Sequence, residues 1–300
     1  MLTALVFAAL SAPASANVTC IVEDGGLPVL PQGNVLTVGL HSQDDLGRVV
    51  RSGDTLKVYD DENVHIPCGR SAPTVEQIDK ITFAGDPVAT ESLGILDLGG
   101  GQFAPGATDE GDGSSEIEVD LALDGGGSYF LVEGSSGSDE LRFGRNETVP
   151  GGNLNPREDG PTADVDVTVV GAGLAVEAGA GHDLVTAAGG PAFDAPLAKR
   201  SVFFVGGKGN DTLIGGRTSE VLVGGPGRDV MRAREGDDLL VGGPGADLLV
   251  GGAGGDELNS YGGGRDRVAC GSGRDLAFSD RRDRISGCED VLRFSGFGFF

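Results

Sequence analysis

From Gly206 to Phe278 the chain reads GGKGNDTLI, GGRTSEVLV, GGPGRDVMR, AREGDDLLV, GGPGADLLV and GGAGGDELN, then, after one extra residue at Ser260, YGGGRDRVA and CGSGRDLAF. The period is nine, held over eight units. Positions 1, 2 and 4 are mostly glycine, which reaches positive φ at little cost and lets a backbone carbonyl approach an ion closely. Position 6 is Asp211, Asp229, Asp238, Asp247, Asp256, Asp266 and Asp275, with Glu220 the exception. Position 8 is Leu213, Leu222, Met231, Leu240, Leu249, Leu258, Val268 and Ala277. Alternate residues of a strand face opposite sides, so positions 6 and 8 point one way and positions 7 and 9 the other. A turn of about six residues and a strand of about three cannot bury a core alone. Two such units make one coil of a parallel β-roll, and stacked coils share a core.

Stacking brings acids 18 residues apart into columns along two edges: Asp211, Asp229, Asp247 and Asp266 on one, Glu220, Asp238, Asp256 and Asp275 on the other. Ser260 shifts both columns by one residue together, so the pairing survives. Carboxylates at the strand spacing of ~4.8 Å repel unless something lies between them. A hard cation answers this. Ca²⁺ accepts carboxylate and carbonyl oxygens in flexible geometry, whereas Mg²⁺ demands a tighter octahedron and parts with water reluctantly.

These units resemble the haemolysin-type calcium-binding (RTX) nonapeptide repeats, with the pattern G-G-x-G-x-D-x-U-x, U being a large apolar residue. The resemblance implies an all-β, right-handed parallel β-roll that folds outside the cell around several Ca²⁺ ions. It carries metal-ligand roles onto Gly207, Gly209, Asp211, Gly225, Gly227, Asp229, Gly236, Asp238, Gly243, Gly245, Asp247, Gly252, Gly254, Asp256, Gly264, Asp266, Gly273 and Asp275. Two units depart from the pattern. GGRTSE lacks the fourth-position glycine and carries Glu220, and AREGDD lacks the first two glycines, so sites on the Glu220 turn are expected to be empty or weak. Fainter matches occur at Gly134 to Arg142, with Asp139, and at Ala178 to Thr186, with Asp183. Both are isolated by insertions, and weaker calcium sites are expected there.

Length and composition agree. Fifty-four glycines, no Trp and 39% hydrophobic residues in 300 describe many turns around thin cores. A formal net charge of −24 excludes nucleic acid as a partner and disfavours an anionic membrane surface. Residues 1–16 read as a secretory signal, with an apolar run from Leu2 to Leu10 and small residues at Ala14-Ser15-Ala16. That run is too short to span a membrane, and no lysine or arginine precedes it. Four cysteines fit an exported chain and permit three connectivities. Their separation into two distant pairs favours Cys20–Cys68 and Cys270–Cys288, each worth about 3 kcal/mol.

The remainder divides into a β-rich region, 17–133, degenerate repeats with inserted loops, 134–200, the regular roll, 201–278, and a cap and tail, 279–300. Short β runs are expected at Val35 to Val38, Thr55 to Tyr59, Ile78 to Phe83, Ile95 to Leu98 and Ile117 to Leu121. They read equally as irregular coils of a solenoid or as a small separate domain. Phe143 to Gly160 is expected to be a protruding loop, and the repeats are expected to stop at Phe278. Val221, Val230, Leu239 and Leu248, apolar at outward positions, imply a further surface packed against the roll.

No H-E-x-x-H or G-x-S-x-G motif occurs, and His41, His65 and His182 do not form a catalytic pattern, so no catalytic residue is assigned. The expected function is a secreted calcium-binding roll with a structural or cell-surface role, its partner a cell-surface glycan or another protein. The alternative is an extracellular enzyme acting on polysaccharide through its first half.

Overall fold

The computed structural model describes residues 18–23, 34–41, 45–69, 71–74, 77–85, 92–100, 118–122, 128–146, 149–154, 167–170, 173–188 and 202–294. The expected signal segment and the tail after Phe294 lie outside them. Strands dominate, and among the described residues there is no α-helix and no helix long and apolar enough to cross a membrane. The chain divides into two compact units, Met1–Leu131 with Asp166–Gly173, and Val132–Val165 with Leu174–Phe300.

In the first unit, Asn34–Leu40, Ile78–Gly85, Glu118–Ala122 and Val167–Val170 pair in parallel, with Val18–Glu23 antiparallel at one end. Ser92–Asp97 runs parallel to Asp45–Ser52, which turns at Gly53 (φ 65°) into the antiparallel Thr55–Tyr59. Alternation does the sorting. Leu36, Val38, Leu40, Ile81 and Phe83 are fully buried, and Phe83 meets Phe130 edge-on with ring centroids 5.9 Å apart. The Cys20–Cys68 disulfide ties the first strand to the segment following His65–Ile66. Asp45 is buried at the start of its strand, where its carboxylate accepts the His41 backbone N–H at 2.8 Å, while the His41 ring is engaged by Thr19.

The second unit is a parallel β-roll. One row of strands runs Glu140–Asn146, Leu184–Thr186, Thr212–Ile214, Val230–Glu235, Leu248–Ala253, Arg267–Ser272 and Arg284–Ser286. The other runs Gly173–Glu177, Val202–Val205, Glu220–Val223, Leu239–Val241, Glu257–Asn259, Leu276–Ser279 and Asp290–Arg293. Register stacks like on like. Leu141, Val185, Leu213, Met231, Leu249 and Val268 form one buried column and Val176, Phe204, Leu222, Leu240, Leu258 and Ala277 the other. Burying one Leu or Val on each rung contributes about 1.5–3 kcal/mol, which a single nonapeptide could not collect.

Two expectations change. The insertion after Phe143 begins as a hairpin, Glu140–Asn146 against Val149–Leu154, because its first residues continue the row strand. The roll continues past Phe278 for one more coil, in which Ile285 lies in register with Val268 and Val291 with Ala277. The Cys270–Cys288 disulfide fastens that coil, and Phe294 packs on Tyr261 and Phe278 at 5.4 and 6.4 Å between centroids. Val221 and Leu239, and Val230 and Leu248, are half-buried and lie in register with each other on adjacent rungs.

Candidate metal centre

The acid at position 6 opens each short strand and points inward, next to the apolar column. Asp139, Asp183, Asp211, Asp229, Asp247, Asp266 and Asp283 form one file, and each carboxylate after the first takes the backbone N–H of the acid one rung earlier, at 2.8–3.1 Å. Glu220, Asp238, Asp256, Asp275 and Glu289 form the second file, joined in the same manner at 2.8–3.0 Å. Asp139 and Asp183 therefore stand in the same line as the regular repeats despite the insertions. Asp283 and Glu289, where the repeat pattern has lapsed, extend both files. The expectation that bare carboxylates face one another across rungs is revised: one oxygen of each is already held by an N–H.

The other oxygen is not. Oδ2 of Asp183, Asp211, Asp229, Asp238, Asp247, Asp256, Asp266 and Asp275, and Oε2 of Glu220, are buried and have no hydrogen-bond partner. Leaving such an atom unmet costs on the order of 1–3 kcal/mol, and more when it is charged. At several rungs it lies against the residue at position 1, so close that only glycine fits there without a collision. A Cβ placed on Gly206 would lie 2.5 Å from Asp211 Oδ2 and 2.9 Å from the Gly224 carbonyl oxygen. On Gly224 it would lie 2.6 Å from Asp229 Oδ2 and 2.8 Å from Gly242 O. On Gly251 it would meet Asp256 Oδ2 and Cys270 O, and on Gly215, Glu220 Oε2 and Ala233 O. A free carboxylate oxygen and a carbonyl oxygen from the next rung thus converge on the place of the missing side chain.

Residues 203–231 and 223–258 match the family model of the RTX calcium-binding nonapeptide repeat. Residues 203–258 are RTX repeats. No curated protein and no solved structure matches the chain.

The converging donors of these RTX repeats are all oxygen, the set calcium prefers. They fit. Among the described residues no three His, Cys, Asp or Glu side chains gather at one point, which follows from the geometry, since each rung brings one free carboxylate oxygen and draws the rest from backbone. Burial, opposed by the N–H bond from the preceding rung and joined by the like charge of neighbours, raises these carboxyls well above the ordinary value of 3.8. Asp229 and Asp238 are pushed up to about 7, and Asp183, Asp256 and Asp266 to about 6. Asp211 and Asp247 move the same way for the same leading cause.

The RTX units differ at position 1. Asp238 has Ala233 there, Asp266 has Tyr261 and Asp275 has the disulfide-bonded Cys270. At Gly242 the nearest oxygen is Asp247 Oδ2, with the Leu249 side chain beside it. Glu220 spends Oε1 on the Thr218 N–H and hydroxyl, at 3.0 and 2.6 Å. The glycines given ligand roles from sequence have a structural task. Gly207, Gly225, Gly243 and Gly252 at position 2, and Gly209, Gly227, Gly236, Gly254 and Gly273 at position 4, have φ between 92° and 159°. A Cβ on Gly209 would strike the carbonyl of Gly181 on the neighbouring rung, so these residues let turns stack. Gly245 and Gly264 crowd the turn beneath in the same way. The position-1 glycines, which sequence reasoning passed over, face the acids.

Position 5 also acts between rungs. His182 Nδ1 accepts the Asn210 N–H, Asn210 Oδ1 that of Arg228 and Asp237 Oδ1 that of Gly255. His182 is thereby occupied as a turn residue, and His65 lies edge-on to Tyr59 at 5.6 Å in the first unit.

Proposed function

We propose that the second unit is a calcium-dependent folding module of an exported protein, serving a structural or cell-surface role. The observation that carries this reading is the buried, partnerless carboxylate oxygen repeated on rung after rung, each opposite a position-1 residue. Asp211, Asp229 and Asp256 are the leading ligands, with the carbonyls of Gly224, Gly242 and Cys270 beside them. Asp247 and Glu220 are weaker ones, and Asp183, which has Ala178 at position 1, is not among them. Bound calcium supplies the positive charge that these carboxylates lack. The chain supplies the rest: N–H groups that fix one oxygen of each acid, glycines that leave room, and a column of apolar side chains that closes only when the acids can be buried.

The linkage follows. Each site filled at a hundredfold its Kd adds about 2.7 kcal/mol to the folded state, so a few sites rival the stability of a whole domain. A chain needing abundant calcium and holding two disulfides suits the oxidising, calcium-rich space outside the cell, in keeping with the signal-like residues 1–16. The test is circular dichroism of the purified mature chain during calcium titration, with magnesium as control. A gain of β signal with calcium alone supports the reading, and an unchanged spectrum rejects it.

A further inference from the structure

The 300-residue chain is acidic, but its charge is unevenly placed. Residues 202–294 hold 12 Lys and Arg against 15 Asp and Glu, whereas the rest holds 10 against 31. Nine of those 15 acids, the column members Asp211, Glu220, Asp229, Asp238, Asp247, Asp256, Asp266, Asp275 and Asp283, are buried. The surface of this stretch is consequently rich in arginine. Arg217 and Arg274 are paired with Glu235 and Asp290. Arg228, Arg265 and Arg267 make no salt bridge among the described residues, although the charge of Arg228 acts on Asp247, and all three line one hollow of about 420 Å³.

The repeat builds this hollow. Asn210, Arg228, Ala246 and Arg265 stand at position 5 of four successive rungs, so Ala246 leaves a gap between two long cationic side chains. Val230, Leu248 and Arg267 stand in register at position 7, the first two a half-buried apolar floor and the third a further arginine of the lining. Asp229 and Asp247 contribute to the wall, but both are buried and each gives one oxygen to an N–H of the preceding rung. Three rung spacings of ~4.8 Å give the hollow a length of roughly 14 Å, and its volume lies in the range of small-ligand sites, about 300–1,000 Å³.

We infer that this hollow binds a phosphate-bearing sugar or polyol. Guanidinium forks match phosphate oxygens two at a time. Three of them around one space call for a multiply charged anion, since a single carboxylate leaves two cations unmet. The Val230 and Leu248 floor accepts the C–H face of a sugar ring or polyol chain. The site needs the roll to be formed but is independent of the roll's wider role.

Isothermal titration in saturating calcium tests this, using glucose 6-phosphate, which stays soluble beside calcium, with glucose and glucuronate as comparators. Glucose 6-phosphate is expected to bind, to weaken as salt rises, and to bind at least about tenfold more tightly than either comparator. Arg228→Gln with Arg265→Gln is expected to weaken binding about tenfold or more. Ala246→Leu, which fills the gap and changes no charge, is expected to abolish it. Calcium content and circular dichroism report separately whether each roll has formed, and the Ala246→Leu protein carries the test if the double variant does not fold. A phosphorylated teichoic-type polymer that competes with glucose 6-phosphate identifies a surface glycan as the source, and a polymer that fails to compete identifies a soluble sugar phosphate. Equal binding of glucose and glucose 6-phosphate, equal or tighter binding of glucuronate, or full binding by a folded Ala246→Leu protein overturns the inference.

Discussion

The two files of acids in the roll are alike in sequence position, burial and N–H bonding, yet they differ in what faces them. In the file through Asp211 and Asp229, Gly206 and Gly224 lie directly against a free carboxylate oxygen and a carbonyl oxygen. In the other file Glu220 beside Gly215 and Asp256 beside Gly251 keep the same arrangement, whereas position 1 is Ala233 before Asp238 and Cys270 before Asp275. The acid alone does not make a cation site. In the proposed scheme the residue five places before it decides whether its second oxygen can take a partner.

The largest effect separates conditions in which the files should behave alike from those in which they should part. Without calcium, both files bury acids whose folded pKa is raised, Asp229 and Asp238 from 3.8 to about 7. A raised folded value means that the folded roll holds protons the unfolded chain has released. That stabilisation is complete below the ordinary 3.8 and is lost as pH rises through about 7. Thermal melts in chelator should therefore show a more stable roll at pH 5 than at pH 8, and added calcium should help more at pH 8. A metal-free roll that melts higher at pH 8 contradicts the burial of these acids.

Asp229→Ala comes next. It strands the buried Asp211 N–H and removes a free oxygen, costing about 2–4 kcal/mol in calcium by denaturant unfolding. Glu220→Ala, which mainly releases Thr218, should cost less than half of that. Equal losses would erase the distinction between the files.

How much of this was open to reading from the residues alone follows from where repetition holds. Eight units in register gave the roll, both acid files and the apolar columns, because a period of nine leaves no other stacking. Asp283 and Glu289 escaped because the final coil shortens the spacing from 18 or 19 residues to 17 and 14. The strand Asp45–Ser52 escaped because Gly47 interrupts its pattern. The glycine is there because a Cβ would lie 2.8 Å from the Leu40 and Val38 side chains, a contact between segments that no local rule contains. The role of position 1 was hidden in plain composition: glycines at positions 1, 2 and 4 look alike in sequence, and only the carboxylate geometry separates those that make room for an oxygen from those that turn the chain.

Gly224→Ala isolates that role, since the added methyl meets Asp229 Oδ2 at 2.6 Å and Gly242 O at 2.8 Å. It should cost about 1–3 kcal/mol and one bound ion, counted by equilibrium dialysis with metal analysis. Ala233→Gly is the smallest change and the reverse experiment. In chelator it should destabilise by about 0.5–1 kcal/mol, and in calcium it should gain an ion beside Asp238 and recover that loss. An unaltered ion count in both variants would remove position 1 from the explanation.

The most direct measurement is the calcium anomalous signal in crystals of the protein grown with calcium. Peaks are expected beside the free oxygens of Asp211, Asp229 and Asp256, over Gly206, Gly224 and Gly251, and none at Asp238 over Ala233. A map with no ion at those three carboxylates, or with equal density beside Asp238, would contradict the claim that glycine at position 1 turns a buried acid into a calcium site.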